Sequence, residues 1–82
     1  MRLVDLKRKQ SATICGISRD ESGQQDIVAN RLEVLGFVAG TPVKVITKGI
    51  FGGEPILVQI GFTRFALRKS EAAKVEITGV SA

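Results

Sequence analysis

A mainly β fold, a small twisted barrel of about five strands with one inserted α-helix, is predicted by three observations. Short apolar runs alternating with period two recur along the 82 residues, turn residues punctuate them at close spacing, and only one segment carries a helical period. A chain this short holds one hydrophobic core, so residues 1–82 are expected to form a single domain. With 44% hydrophobic and 24% charged residues, the composition is that of a folded chain rather than a disordered one. Closing the sheet into a partial barrel limits the strand edges left open to other chains.

The elements follow in order. Leu3-Val4-Asp5-Leu6 reads as a single turn whose two leucines dock inward, followed by the basic run Lys7-Arg8-Lys9. Ala12–Ile17 alternates, with Ala12, Ile14 and Gly16 on one face and Thr13, Cys15 and Ile17 on the other, and forms the first strand. Cys15, a lone thiol, is expected to be a small packed strand residue rather than a reactive group. Residues 18–23 are a polar loop, and Ser22 with Gln25 three positions on has the form of a capping box. A helix is predicted from about Gly23 to Leu35. Val28, Leu32 and Leu35 form its apolar stripe, Ile27 widens it, and Asn30, Arg31 and Glu33 face solvent. Gly36 follows the last periodic residue, where a left-handed cap is wanted, and Phe37 folds back on the helix end.

After a turn at Ala39-Gly40-Thr41, residues Pro42–Lys48 make the second strand, with Val43 and Val45 inward and Lys44 outward. Gly49–Pro55 holds three glycines and a proline and reads as a loop, with Ile50 and Phe51 near its tip. Ile56–Ile60 is the third strand, Gly61–Thr63 a turn, and Phe65-Ala66-Leu67 the fourth strand. Ser70 is placed to cap a single helical turn over Glu71-Ala72-Ala73, and Lys74–Thr78 supplies the fifth strand. With the helix between the first and second strands, an SH3-like barrel fits better than an OB fold, whose helix normally falls between strands three and four.

Absences narrow the chemistry. The chain has no histidine, so it lacks the side chain that most often acts as a general base near neutral pH and the commonest imidazole metal ligand. One cysteine makes neither an internal disulfide nor a cysteine-rich zinc site. Of the eight carboxylates only Asp20 and Glu21 are adjacent, and together they offer too few oxygens for a specific divalent-cation site. No catalytic residue, cofactor site or metal site is therefore expected. Gly49–Gly53 lacks both the GxxxxGK[ST] pattern and the strand–loop–helix order of a phosphate-binding loop. The single thiol and the want of a signal-like N-terminus point to a cytosolic protein, and no apolar run approaches the ~20 residues that span a bilayer.

Twelve Lys and Arg against eight Asp and Glu give a net charge of +4. The charge is uneven: +3 over residues 1–10, −2 over 11–40 and +3 over 41–82. Two basic ends permit an RNA-binding barrel, but none of the four phenylalanines sits in a stacking pattern beside a basic strand, so nucleic acid is the weaker reading. Two surfaces remain as candidates for binding a protein: the tip Ile50-Phe51, and the basic group Arg64, Arg68 and Lys69 around the fourth strand. The alternatives are a Phe51 that tucks under the barrel and arginines that only keep a strand face hydrated. An apolar tip also allows self-association into a homo-oligomer.

Residues 31–45, Arg-Leu-Glu-Val-Leu-Gly-Phe-Val-Ala-Gly-Thr-Pro-Val-Lys-Val, resemble the RLxxLGFxxGxxVxV core of the FeoA proteins. Gly52-Gly53-Glu54-Pro55 is similar to that family's Gly/Pro loop, and Ala66-Leu67-Arg68-Lys69-Ser70-Glu71-Ala72 to its ALRxxEA signature, so the resemblance runs from about Leu3 to Ile77. It implies an SH3-like fold and a non-enzymatic cytosolic accessory of ferrous iron uptake, whose partner is the cytosolic part of FeoB, the GTPase-coupled membrane iron transporter. The same module forms the C-terminal domain of iron-dependent repressors of the DtxR type, which keeps interaction with a transcriptional regulator open as an alternative. The family motifs assign no residue to the partner firmly; Ile50, Phe51, Arg64, Arg68 and Lys69 are the expected contacts.

Overall fold

Alternation places one face of each strand inward, and in the computed structural model, which describes residues 1–19, 26–49 and 52–81, those faces meet in one core. The strands are β1 (Ser11–Ile17), β2 (Pro42–Gly49), β3 (Gly53–Ile60), β4 (Thr63–Leu67) and β5 (Val75–Ser81). They form one antiparallel sheet in the order β4-β3-β2-β1-β5. Helix α1 (Ile27–Leu35) lies in the connection between β1 and β2, and the four-residue helix α2 (Lys69–Ala72) between β4 and β5. The inward residues Ala12, Ile14, Val43, Val45, Ile56, Val58, Leu67, Val75 and Ile77 are all buried. They are small, branched or β-branched side chains of the kind that pack well on a pleated face.

The two open sides of the sheet are closed by local devices. Leu3–Asp5 is a single 3-10 turn, and both Leu3 and Leu6 are fully buried, so the N-terminal segment covers one side of the core as expected. Arg2 holds that segment down, its guanidinium donating to the Ala73 carbonyl at 2.9 Å and to the Ser18 hydroxyl, which in turn donates to Glu76 at 3.2 Å. Helix α1 covers the other side with Ala29 and Leu32. Its C-terminus follows the expected rule: Gly36 is left-handed at φ 112°, and the Phe37 N–H reaches the Leu32 carbonyl at 3.0 Å. That return drives Phe37 into the core, where it is fully buried against Phe65 with ring centroids 5.4 Å apart.

The start of α1 differs from the expectation. The helix begins at Ile27, four residues later than Gly23, because Asp26 takes an extended conformation and caps it, its carboxylate accepting from the Ala29 N–H at 3.0 Å. The anticipated capping pair Ser22 and Gln25 lies outside the described residues. Asp26 also meets Lys74 at 2.5 Å just before β5, and its side chain is only 7% exposed. One carboxylate thus sets the helix start and ties it to the opposite edge of the sheet. Replacing Asp26 with alanine is expected to cost about 2–3 kcal/mol by urea denaturation: about 1 from the lost cap, the rest from a half-covered lysine left without its counter-ion. Asp26→Asn keeps the capping oxygen and is expected to cost about 1–2 kcal/mol, from the lysine's lost counter-ion alone.

Other expectations are corrected by packing. Ile27 does not widen the buried stripe; it is 76% exposed, because the cap at Asp26 rotates the first helical residue away from the sheet. Ala29 takes its place. Cys15 is exposed rather than packed, since α1 covers the Ala12–Ile14 face of β1 and leaves Cys15 on the other. Ser70 sits inside α2 and is not its cap; the Arg68 N–H is instead accepted by the Glu71 carboxylate at 2.9 Å. The predicted loop from Gly49 to Pro55 is mostly strand, with Gly49 paired to Gly53 and β3 running back through Glu54 and Pro55. The fourth and fifth strands likewise extend past their predicted ends, β5 continuing through Gly79 at φ 65° to Ser81.

Candidate binding surface

The candidate surface is built where β4 leaves the sheet and turns into α2. Phe65 and Leu67 of β4 point inward, so Arg64, Ala66 and Arg68 share the outward face at period two. Arg64 and Arg68 are four residues apart, about 13 Å at ~3.3 Å per residue, so the basic group is drawn out along the strand. Arg64 lies at the far end, opposite Gln59 of β3, and its Nε donates to Gln59 Oε1 at 3.1 Å. Beside it the β3–β4 turn presents Phe62 fully to solvent.

Arg68 and Lys69 occupy the other end. The Lys69 N–H donates to Glu54 Oε1 at 2.5 Å, and its side chain passes close to Gly53, at the base of the connection from β2 to β3. Ile50 and Phe51, the tip of that connection, lie outside the described residues. The structure therefore brings Arg68 and Lys69 next to the strand ends that bound the tip and leaves Arg64 away from them.

Folding also adds residues that the sequence order hides. Between α1 and the β4–α2 corner runs a groove of about 520 Å³, walled by Val28 and Arg31 of α1, by Pro55 and Ala66 of the sheet, and by Arg68 and Glu71. Arg31 crosses it to Glu71 at 3.1 Å. Both Glu71 oxygens are then engaged, Oε2 by Arg31 and Oε1 by the Arg68 N–H. Among the described residues the Arg68 guanidinium has no hydrogen-bond or ion-pair partner. The helical period places Val28 on the apolar stripe and Arg31 on the solvent face; nothing in the linear order marks them as neighbours of Arg68, although ALRxxEA and the helix each carry one half of the ion pair. The outer side of α1 continues the surface with Val34, 86% exposed one helical turn beyond Arg31.

Among the described residues no three His, Cys, Asp or Glu side chains gather where they could hold a metal ion, and no helix is long and apolar enough to cross a membrane. What the arrangement offers is recognition: fixed cations beside apolar surface on a rigid sheet edge.

This architecture is that of a small SH3-like barrel with its candidate chemistry on the outer face. The family model for the FeoA domain matches residues 1–79, and the chain belongs to the FeoA family. Among solved structures it is similar to Stenotrophomonas maltophilia FeoA complexed with zinc, at 46% identity and a TM-score of 0.84 over 95% of this chain and 89% of that one. That protein is described as a prokaryotic SH3-domain protein and a candidate ferrous iron transport activating factor. A FeoA protein from Chlorobium tepidum matches at 27% identity and a TM-score of 0.75 over 94% of this chain and 68% of that one. A FeoA-like protein from Clostridium acetobutylicum, at 24% identity, a TM-score of 0.78 and coverage of 95% and 84%, shares the fold. A search among curated proteins gave no match.

Proposed function

We propose that this chain is a non-enzymatic, cytosolic accessory of ferrous iron uptake, a single SH3-like domain that binds the cytosolic part of a FeoB-type, GTPase-coupled iron transporter. The observation that carries the reading is family membership over residues 1–79, joined to 46% identity with a protein described as a candidate ferrous iron transport activating factor. The chain's chemistry agrees with it. A sequence without histidine is poorly equipped for acid–base catalysis, whereas an exposed arginine on a rigid strand is well suited to docking a protein. The contacts are Arg68 and Lys69, with Arg64 at the rim of the same face; Ile50 and Phe51, which lie outside the described residues, are carried into the proposal from the sequence alone.

A pull-down of the transporter's cytosolic domain tests this, run without nucleotide, with GDP and with a non-hydrolysable GTP analogue. The unmutated protein is expected to be retained in at least one state, and Phe51→Asp and Arg68→Glu to weaken retention. Retention in none of the three states contradicts the proposal. Binding to RNA that falls steeply with salt, with no transporter binding, supports the RNA-binding barrel in its place.

A further inference from the structure

We infer that the groove between α1 and the β4–α2 corner is a peptide-docking site for an extended acidic segment of a protein partner, in which a carboxylate and a large aliphatic side chain stand two residues apart. The inference rests on the binding role proposed above and says what the partner must present.

The groove holds two arginines and one glutamate, and that glutamate is already spent on Arg31 and on the Arg68 backbone. Glu54, on the sheet side, accepts the Lys69 N–H. Arg68 is thus an uncompensated cation whose guanidinium has its donors free among the described residues. A carboxylate matches that planar fork with two parallel hydrogen bonds, which a point charge does not. Lys69, next in the chain and exposed, adds to the positive field that draws an acidic segment in.

The apolar residues of the groove set the second requirement. The wall beyond Arg68 includes three apolar residues, Val28, Pro55 and Ala66, in a lining that is otherwise mostly polar, with Ala66 on the outward face two residues away. Side chains at i and i+2 on one face of an extended peptide are ~6.6 Å apart, the same spacing as between Arg68 and Ala66. A carboxylate on Arg68 therefore sets the next same-face side chain over Ala66 and against Val28. Filling that space with an aliphatic group displaces water from apolar walls, and the flanking ion pair Arg31–Glu71 closes the end of the groove. A free phosphate or a nucleic-acid backbone satisfies the charge but has nothing to place on the apolar wall.

The test uses the full chain and fluorescein-labelled peptides in which glutamate and leucine alternate at every second position with serine between. Fluorescence anisotropy is expected to show saturable binding that weakens on the order of tenfold when glutamine replaces glutamate, when serine replaces leucine, or in Arg68→Glu. A lysine–leucine peptide is expected to recover binding to Arg68→Glu. Amide shifts in the isotope-labelled unmutated protein are expected to cluster at Val28, Arg31 and Ala66–Glu71, a readout independent of how well any variant folds. Absent saturable binding, equal binding by the glutamate–serine peptide or by polyphosphate, or shifts centred elsewhere each overturns the inference. If the transporter's cytosolic domain binds Arg68→Glu as well as it binds the unmutated protein, the groove assignment fails and the transporter role stands. If that domain does not bind at all while the peptide does, the transporter role fails and the groove stands.

Discussion

Replacing Phe37 with alanine is expected to cost about 3–5 kcal/mol of folding stability, the range for emptying a buried aromatic site. Phe37 has no exposed surface and is the largest fully buried side chain among the described residues. It joins two elements that the sequence keeps far apart. The Gly36 cap and the bond from the Phe37 N–H to Leu32 fix it beneath α1, and its ring meets Phe65 of β4 at a 58° tilt. Its removal leaves a cavity under the helix and strips Phe65 of its aromatic neighbour, itself ~0.5–1.5 kcal/mol in favourable pairs. An 82-residue domain has roughly 4–12 kcal/mol in all at ~0.05–0.15 kcal/mol per residue, so this one change removes a large share. Urea denaturation followed by circular dichroism measures it. Phe37→Leu retains most of the volume and is expected to cost about 1–2 kcal/mol; equal losses from leucine and alanine contradict this packing account.

Replacing Gly49 with alanine is expected to damage fold and surface together. A Cβ at Gly49 lies 1.9 Å from the Glu54 carbonyl oxygen, 2.4 Å from its carbon and 2.8 Å from the Pro55 nitrogen. All three are backbone atoms, so no side-chain rotation relieves the clash and β2 must part from β3 at the Gly49–Gly53 pair. The expected cost is about 1–3 kcal/mol, the range for overpacking. The displaced residue matters as much as the energy. Glu54 is the acceptor for the Lys69 N–H, so moving it loosens the start of α2 and the backbone that carries Arg68. Hydrogen exchange is expected to quicken at Gly53 and Lys69 while the Ala12 and Ile14 amides of β1 stay protected to the global limit. Gly16→Ala is the control: nothing lies within 4 Å of its Cβ position, and it is expected to stay within about ±0.5 kcal/mol.

The two predictions also show which features a linear reading reaches. Strands announce themselves by alternation, so Val43 and Val45 are buried where the pattern puts them, and Leu3 and Leu6 dock inward from the single turn as expected. Gly36 as a helix stop is equally legible, because the left-handed conformation is a local need that glycine meets without strain. What the pattern misses is set by tertiary contact. Ser22 with Gln25 has the form of a helix start, whereas Asp26, which caps the helix, is held by Lys74 from the far end of the chain. Gly49–Pro55 reads as a loop by composition, yet β2 pairs with Gly53 and Ile56 and so carries Glu54 and Pro55 between them within β3. Cys15 alternates correctly, and only the side on which α1 packs decides that it is the exposed one.

The candidate surface divides in the same manner. Arg68 and Lys69 are visible as basic residues next to a strand, but their neighbours are not. Val28 and Arg31 lie near the middle of the sequence, and only the antiparallel return of β4 and the turn into α2 bring them opposite Arg68. Sequence reasoning groups Arg64 with Arg68 because they are close in number; strand geometry sets them about 13 Å apart. A charged pair at long range in sequence, Arg31 with Glu71, is the feature that makes the groove. It is legible only once the fold is known.

The central claim is that this small barrel acts by docking on a transporter's cytosolic domain through the face that carries Arg68. Titrating that domain into the isotope-labelled chain, in each nucleotide state, and recording amide shifts tests the claim most directly. The account predicts saturable shifts concentrated at Ala66–Glu71 and on the facing side of α1, reduced in Arg68→Glu. Shifts absent in every state, or confined to the β1 and β5 side of the barrel, would contradict it.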